Sequence, residues 1–171
     1  MLPSPDESLQ MLEYAVMRCE ESGLKRYEIS AFARDGRSSC HNTGYWTGRP
    51  FIGLGPSAFS YFHGRRFKNA SSFSGWCAAL NEKKSPVDFE EKLPPDAAFC
   101  ELLAVQLRLF EGVDLTPFTA RHGPVPTALA PVLSDLQSKG LLIQSGERLA
   151  LTDHGRLFYD TVAEEMMIDE E

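Results

Sequence analysis

The sequence predicts an α/β first part followed by a smaller, mostly α-helical module, and three observations predict it. Over residues 4–30 a helix signal is followed at once by a short strand signal. A Pro-rich, acidic stretch at 85–95 then interrupts the pattern. Beyond it helical periodicity dominates, broken by one small hairpin. A helix running straight into a buried strand is the rhythm of an α/β sheet or barrel, because each layer covers the apolar face of the other.

The first element is a helix. Ser4 is placed as its N-cap, Pro5 falls at the first helical position, and Glu7 completes a capping box. Leu9, Leu12, Val16 and Cys19 recur at helical spacing, and Gly23 stops the helix. Residues 24–30 alternate around Tyr27 and Ile29 as a short strand. Residues 33–50 have no hydrophobic period and read as a long loop, a feature that is often functional in compact domains. Phe51 to Gly55 reads as a second short strand with close backbone approach at its glycines, and residues 57–67 as an aromatic-rich strand or hairpin. A helix over 71–80 places Phe73, Trp76, Cys77 and Leu80 on one side as a core stripe.

A linker at 85–95 divides residues 1–84 from 96–171. In the second module a helix over 96–111 carries Phe99, Leu102, Leu103, Leu107 and Phe110 on one face and ends at Gly112. A short helix follows Asp114 or Thr116, and another spans 127–139. Residues 141–143 and 148–151 flank Ser145-Gly146 as a hairpin, and Thr152 caps a last helix. This order resembles a winged-helix module. Such modules often read DNA through a basic helix, but 127–139 offers only Lys139 as a cation and carries Asp135. A packing or protein-interaction role fits better.

The 171 residues suffice for one ordinary domain or two small ones, and 43% hydrophobic with 24% charged residues is the balance of a soluble globular protein. The net charge of −7 argues against nucleic acid as a partner, since phosphate binding is driven by Lys and Arg. No apolar run approaches the ~20 residues that span a bilayer. The acidic, Pro-broken start has no secretory pattern, so the cytoplasm is the expected location. Only the acidic tail from Ile168 to Glu171 reads as disordered. The four cysteines, Cys19, Cys40, Cys77 and Cys100, stand 20 or more residues apart, which gives no local zinc or iron–sulfur spacing. They read as reduced thiols, mostly in the core, with Cys40 set apart by its neighbour His41.

The chemistry is concentrated between Tyr27 and Ala58. His41 lies in a polar segment beside Asn42 and is followed by Tyr45 and Trp46. Imidazole is a good ligand for haem iron, aromatic faces pack on a flat porphyrin, and an amide can hold a propionate or fix the imidazole. Lone histidines beside aromatics are more often structural, so these residues alone leave both readings open. His63-Gly64-Arg65-Arg66 offers guanidinium groups to carboxylates, although an exposed turn is the simpler reading. His122 and His154 read as surface or capping residues. Gly53-x-Gly55 is no dinucleotide fingerprint, because a third glycine and a following helix signal are missing.

Three ordered motifs resemble those of the HemW-type proteins in the radical-SAM family of oxygen-independent coproporphyrinogen III oxidases. Tyr27-Glu28-Ile29-Ser30, Phe32-Ala33 and Gly36 match a YEISNFAxxG stretch. His41, Asn42, Tyr45 and Trp46 match HNxxYW at every fixed position, and Gly53, Gly55, Pro56, Ala58 and Ser60 match GxGPGAxS. The resemblance is close over residues 2–80 and weaker beyond. Ala31 stands where the family usually has Asn, Ser57 where it has Gly, and Phe59 where it often has His. It implies the last helix–strand units of a partial radical-SAM (β/α) barrel plus a winged-helix-like C-terminal domain. It also implies haem as ligand, with His41 as the axial ligand to its iron and Asn42, Tyr45 and Trp46 shaping the pocket, for delivery to an acceptor protein. The alternative it carries is part of a coproporphyrinogen III oxidase-like enzyme of porphyrin biosynthesis. The family's [4Fe–4S] cluster and S-adenosylmethionine are bound through a CxxxCxxC loop that has no counterpart here, so no independent activity is expected. Gly53 and Gly55 are then the edge of an S-adenosylmethionine site. A partial barrel implies either self-association or cover from a separate N-terminal barrel segment.

Overall fold

The capping box expected at Ser4 is formed. Ser4 Oγ accepts from the Glu7 amide, and Glu7 returns a carboxylate oxygen to the Ser4 amide at 2.8 Å, which starts α1 (Pro5–Glu21). The computed structural model describes residues 2–167, so the expected acidic tail at 168–171 lies outside the described residues. No residue of α1 is fully buried: Leu9, Val16 and Cys19 are half-covered, while Met11, Leu12, Tyr14 and Met17 are exposed.

The contacts divide the chain into two compact units, Met1–Thr47 with Asp96–Glu171, and Gly48–Pro95. The first unit joins segments that the sequence reading placed in different domains. Here β1 (Lys25–Glu28) and β2 (Ala31–Ala33) form an antiparallel hairpin with an irregularity between Arg26 and Glu28. The expected loop at 33–50 contains a helix, α2 (Cys40–Trp46), capped by Ser39. Its fewer than two turns, with Gly44 inside, leave no hydrophobic period to read.

The second part of this unit is the winged-helix arrangement. After α4 (Pro95–Gln106) come β6 (Val113–Asp114), α5 (Leu115–His122), α6 (Leu129–Ser138), β7 (Leu142–Ser145) and β8 (Arg148–Leu151). The strands form one antiparallel sheet in the order β6-β8-β7. The expected last helix is two, α7 (Asp153–Leu157) and α8 (Tyr159–Met166), parted at Phe158, which leaves helical geometry at φ −113° and ψ 30°. Thr152 caps α7 as predicted by accepting from the Gly155 amide. The core lies here, with Phe99, Leu103, Leu107, Leu129, Leu136 and Met166 fully buried and Phe99 edge-on to Phe118.

The end of α4 differs from expectation in an informative way. The helix stops at Gln106 rather than at 111, because the next residues pair with β1. The Phe110 amide donates to the Tyr27 carbonyl at 3.0 Å, and Leu109 bridges to Glu28 in strand fashion. Residues 108–110 are therefore the seam that makes one unit of the N-terminal hairpin and the winged helix.

In the second unit β3 (Phe59–Phe62) and β4 (Arg65–Asn69) form the expected hairpin. Its two-residue turn, His63-Gly64, has positive φ at both positions, 51° and 70°, as tight hairpins require. The expected linker carries β5 (Val87–Glu91), which pairs with β4; the alternation of Val87 and Phe89 was masked by acidic neighbours. Phe51 makes a single bridge to Tyr61 rather than starting a strand. The stripe on α3 (Phe73–Asn81) is not core: none of its residues is fully buried and Phe73 is 69% exposed.

Gly155 tests the packing of α7 on the wing. A Cβ there would lie 1.9 Å from the Leu141 carbonyl oxygen, which is backbone and does not yield easily. Gly155→Ala is expected to destabilise the chain by about 2 kcal/mol, read as a lower Tm in thermal unfolding.

Candidate functional site

Helix α2 presents the HNxxYW residues, and it is fixed at its start by the first motif. Ser39 Oγ accepts from the Asn42 amide at 3.2 Å, and the Ser39 amide donates to the Tyr27 hydroxyl at 3.2 Å. One turn apart on the same face, His41 and Tyr45 meet edge to face, with ring centroids 4.7 Å apart. His41 is exposed, so its imidazole is open to a ligand arriving from solvent. Asn42 and Tyr45 are half-covered beside it, and Cys40, the neighbour singled out in the sequence, is also exposed.

Trp46 faces inward and meets a residue that the sequence reading did not select. The Arg108 guanidinium lies 4.3 Å from the Trp46 ring centroid and 4.9 Å from that of Tyr159. Its Nη2 reaches the Glu28 carboxylate and the Ser30 hydroxyl, each at 3.4 Å, while Ser30 Oγ donates to Glu28 at 2.8 Å. Glu28 is fully buried and Arg108 is 18% exposed. Tyr159 donates its hydroxyl to the Ala104 carbonyl at 3.1 Å, and burial raises its pKa against the lowering influence of Arg108. Arg108 thus joins the first motif, the HNxxYW helix and α8. The sequence carried one signal for it, since Arg108 interrupts the most apolar stretch of the chain.

A second cationic contact flanks the seam. Arg26 and Arg156 hold their guanidinium groups 5.3 and 3.9 Å from the Phe110 ring. Burial lowers the Arg26 pKa, with Glu28 opposing that and Arg156 adding to it. Phe110 and both arginines line a cavity of about 500 Å3 beside α1.

The third motif belongs to the other unit and has a backbone explanation. The Gly53 amide donates to Ser60 Oγ at 2.9 Å, and a Cβ on Gly53 would lie 2.1 Å from the Phe59 carbonyl oxygen. Asn69 donates its side-chain amide to the Gly55 carbonyl at 2.9 Å. Ser57, which the motif resemblance sets in a glycine's place, adopts a left-handed φ of 60°.

The remaining candidates have occupied charges or bland surroundings. Arg65 pairs with Glu90, and Arg66 with Glu91 at 2.5 Å, across the β4–β5 pair. His122 packs on Phe118 and His154 on Phe158. Lys139, the cation beside α6, is held by Asp135 at 2.7 Å and Glu165 at 3.1 Å. Burial pushes the Cys100 thiol up to about 11, with Asp96 adding to the shift, while Cys19 and Cys77 are partly covered. Among the described residues no group of three or more His, Cys, Asp or Glu side chains is placed to hold a metal, so these residues do not fit an iron–sulfur cluster.

Residues 93–158 match the family described as the HemN C-terminal domain. The chain is 31% identical over 162 residues to the heme chaperone HemW of Bacillus subtilis, covering 94% of this chain and 43% of that protein. It is 33% identical to the heme chaperone HemW of Mycobacterium tuberculosis, covering 97% of this chain and 41% of that protein. It therefore spans about two-fifths of the length of these curated relatives. Among solved structures, coproporphyrinogen III oxidase HemN of Escherichia coli, described as a radical SAM enzyme, superposes with a TM-score of 0.78 at 18% identity. That match covers 97% of this chain and 42% of HemN, and it shows the shared fold.

Two substitutions test the site's supports. Glu28→Ala leaves Arg108 without its carboxylate and is expected to cost about 3 kcal/mol in urea unfolding. Ser57→Gly relieves the left-handed backbone, partly offset by the entropy of glycine, and is expected to raise stability by roughly 0.5 kcal/mol in the same measurement.

Proposed function

From its membership of the HemW-type proteins in the radical-SAM coproporphyrinogen III oxidase family, whose C-terminal portion this chain matches, we propose that it binds haem through His41 and delivers it to an acceptor protein. The observation that carries this reading is the exposed His41 imidazole on a short helix anchored from behind. An imidazole nitrogen donates its lone pair to haem iron, and a ligand at the surface can be passed on without unfolding the site. Tyr45, edge-on at 4.7 Å, limits the orientations open to the ring. Asn42 supplies an amide beside it for a propionate or for the imidazole itself. Trp46 acts from the inner side of the helix as its anchor on Arg108.

No radical step is assigned to these residues, because they supply no cluster ligands. In this reading Gly53 and Gly55 border the family's S-adenosylmethionine site with backbone rather than side chains. The fold shared with HemN supports the alternative, part of a coproporphyrinogen oxidase-like enzyme, while HNxxYW at His41–Trp46 weighs towards haem handling. The cytoplasm remains the proposed location. Nucleic acid is disfavoured as a partner, since Lys139 beside α6 is neutralised by Asp135 and Glu165. Exposed apolar side chains on α1 and α3, such as Met11, Tyr14 and Phe73, support self-association or cover by a barrel segment.

A haem titration followed at the Soret band tests the reading. The wild-type chain is expected to give a saturable, shifted band that weakens in His41→Ala. Identical titrations of the two proteins would remove His41 as the ligand.

A further inference from the structure

We propose that Arg108 is a positioning residue for the haem site: its guanidinium, lying over the Trp46 ring, holds helix α2 and thereby the His41 imidazole in place, so that the winged-helix module governs haem affinity. The proposal rests on the haem reading above. Its geometry is independent of that reading. Arg108 follows α4 and lies within the HemN C-terminal domain match. It reaches α2 through the Trp46 ring at 4.3 Å and α8 through the Tyr159 ring at 4.9 Å. The same group binds Glu28 and Ser30 at 3.4 Å.

Two polar atoms on the inner side of α2 make no hydrogen bond of their own. Trp46 Nε1 and Thr43 Oγ1 are both buried without a hydrogen-bond partner. The helix has fewer than two turns and is too short to be stable alone. It is held by the Ser39–Tyr27 bond at its start and by the Trp46–Arg108 contact at its end. His41 lies between them, so loss of the second anchor frees the end of the helix that carries Tyr45, the ring that orients His41.

Charge and shape can be separated at this position. Lysine keeps a cation opposite buried Glu28, but it is a point charge with no plane to set against aromatic rings. A merely structural ion pair is therefore rescued by Arg108→Lys, and a positioning role is not. A second variant, Glu28→Gln with Arg108→Gln, removes both charges together and leaves no buried charge unpaired.

The experiment compares wild type, His41→Ala, Arg108→Lys and the Glu28→Gln/Arg108→Gln pair, all in a Trp76→Phe background so that Trp46 is the remaining tryptophan. Three readouts are taken: thermal midpoint, Trp46 emission and haem titration with hemin. Arg108→Lys is expected to keep a cooperative thermal transition, to shift Trp46 emission to the red, and to weaken haem binding about tenfold, the scale at which groups that orient a metal ligand act. The paired variant is expected to show the same emission shift and loss; if it does not fold, Arg108→Lys decides alone. A His41-dependent titration that is unchanged in Arg108→Lys would overturn the proposal while leaving the haem reading standing. Identical titrations of wild type and His41→Ala would overturn the haem reading, and this proposal with it.

Discussion

The structure depends on one buried contact, the carboxylate of Glu28 against the guanidinium of Arg108. A fully buried carboxylate is costly unless its charge and lone pairs are met. Here Ser30 donates to one oxygen and Arg108 to the other. Because Glu28 and Arg108 lie 80 residues apart, satisfying Glu28 forces the N-terminal hairpin onto the end of α4. The backbone follows suit, with the Phe110 amide on the Tyr27 carbonyl and Arg26 and Arg156 about the Phe110 ring. That seam is why residues near both ends of the chain form one unit.

The candidate site inherits its rigidity from this seam. A short helix cannot hold a ligand geometry by itself. Helix α2 is instead fixed at its N-cap, Ser39, by Tyr27 and at its last residue, Trp46, by Arg108, and both supports come from the segments that meet at the seam. The result is an open imidazole on a supported base. The exposure of His41 suits exchange of a ligand, and the support behind it suits a defined orientation.

Much of the fold was legible in the sequence where the cause is local. The capping box at Ser4, the Thr152 cap, the His63-Gly64 hairpin and the β7–β8 hairpin each follow from a few adjacent residues. What escaped was short or long-range. Helix α2 is too brief to show a period, and β5 hid inside an acidic, Pro-rich stretch. Of the site, His41, Asn42, Tyr45 and Trp46 were legible through their motif. Arg108 shows in the sequence only as a charge within the most apolar stretch, and Tyr159 not at all, because nothing local to either names a partner on another element. Ser57, which the motif resemblance sets in a glycine's place, has the left-handed φ that a glycine adopts without strain.

Native-state hydrogen exchange tests the central claim, that the seam and α2 open together with the winged-helix core. The amides to follow are Phe110 on the Tyr27 carbonyl, Thr43 and Thr47 in and after α2, and Leu107 on the Leu103 carbonyl. The account predicts one shared opening free energy for all four, as expected of a single cooperative unit. Exchange of Phe110, Thr43 and Thr47 through a separate low-energy opening, with Leu107 still protected, would contradict it.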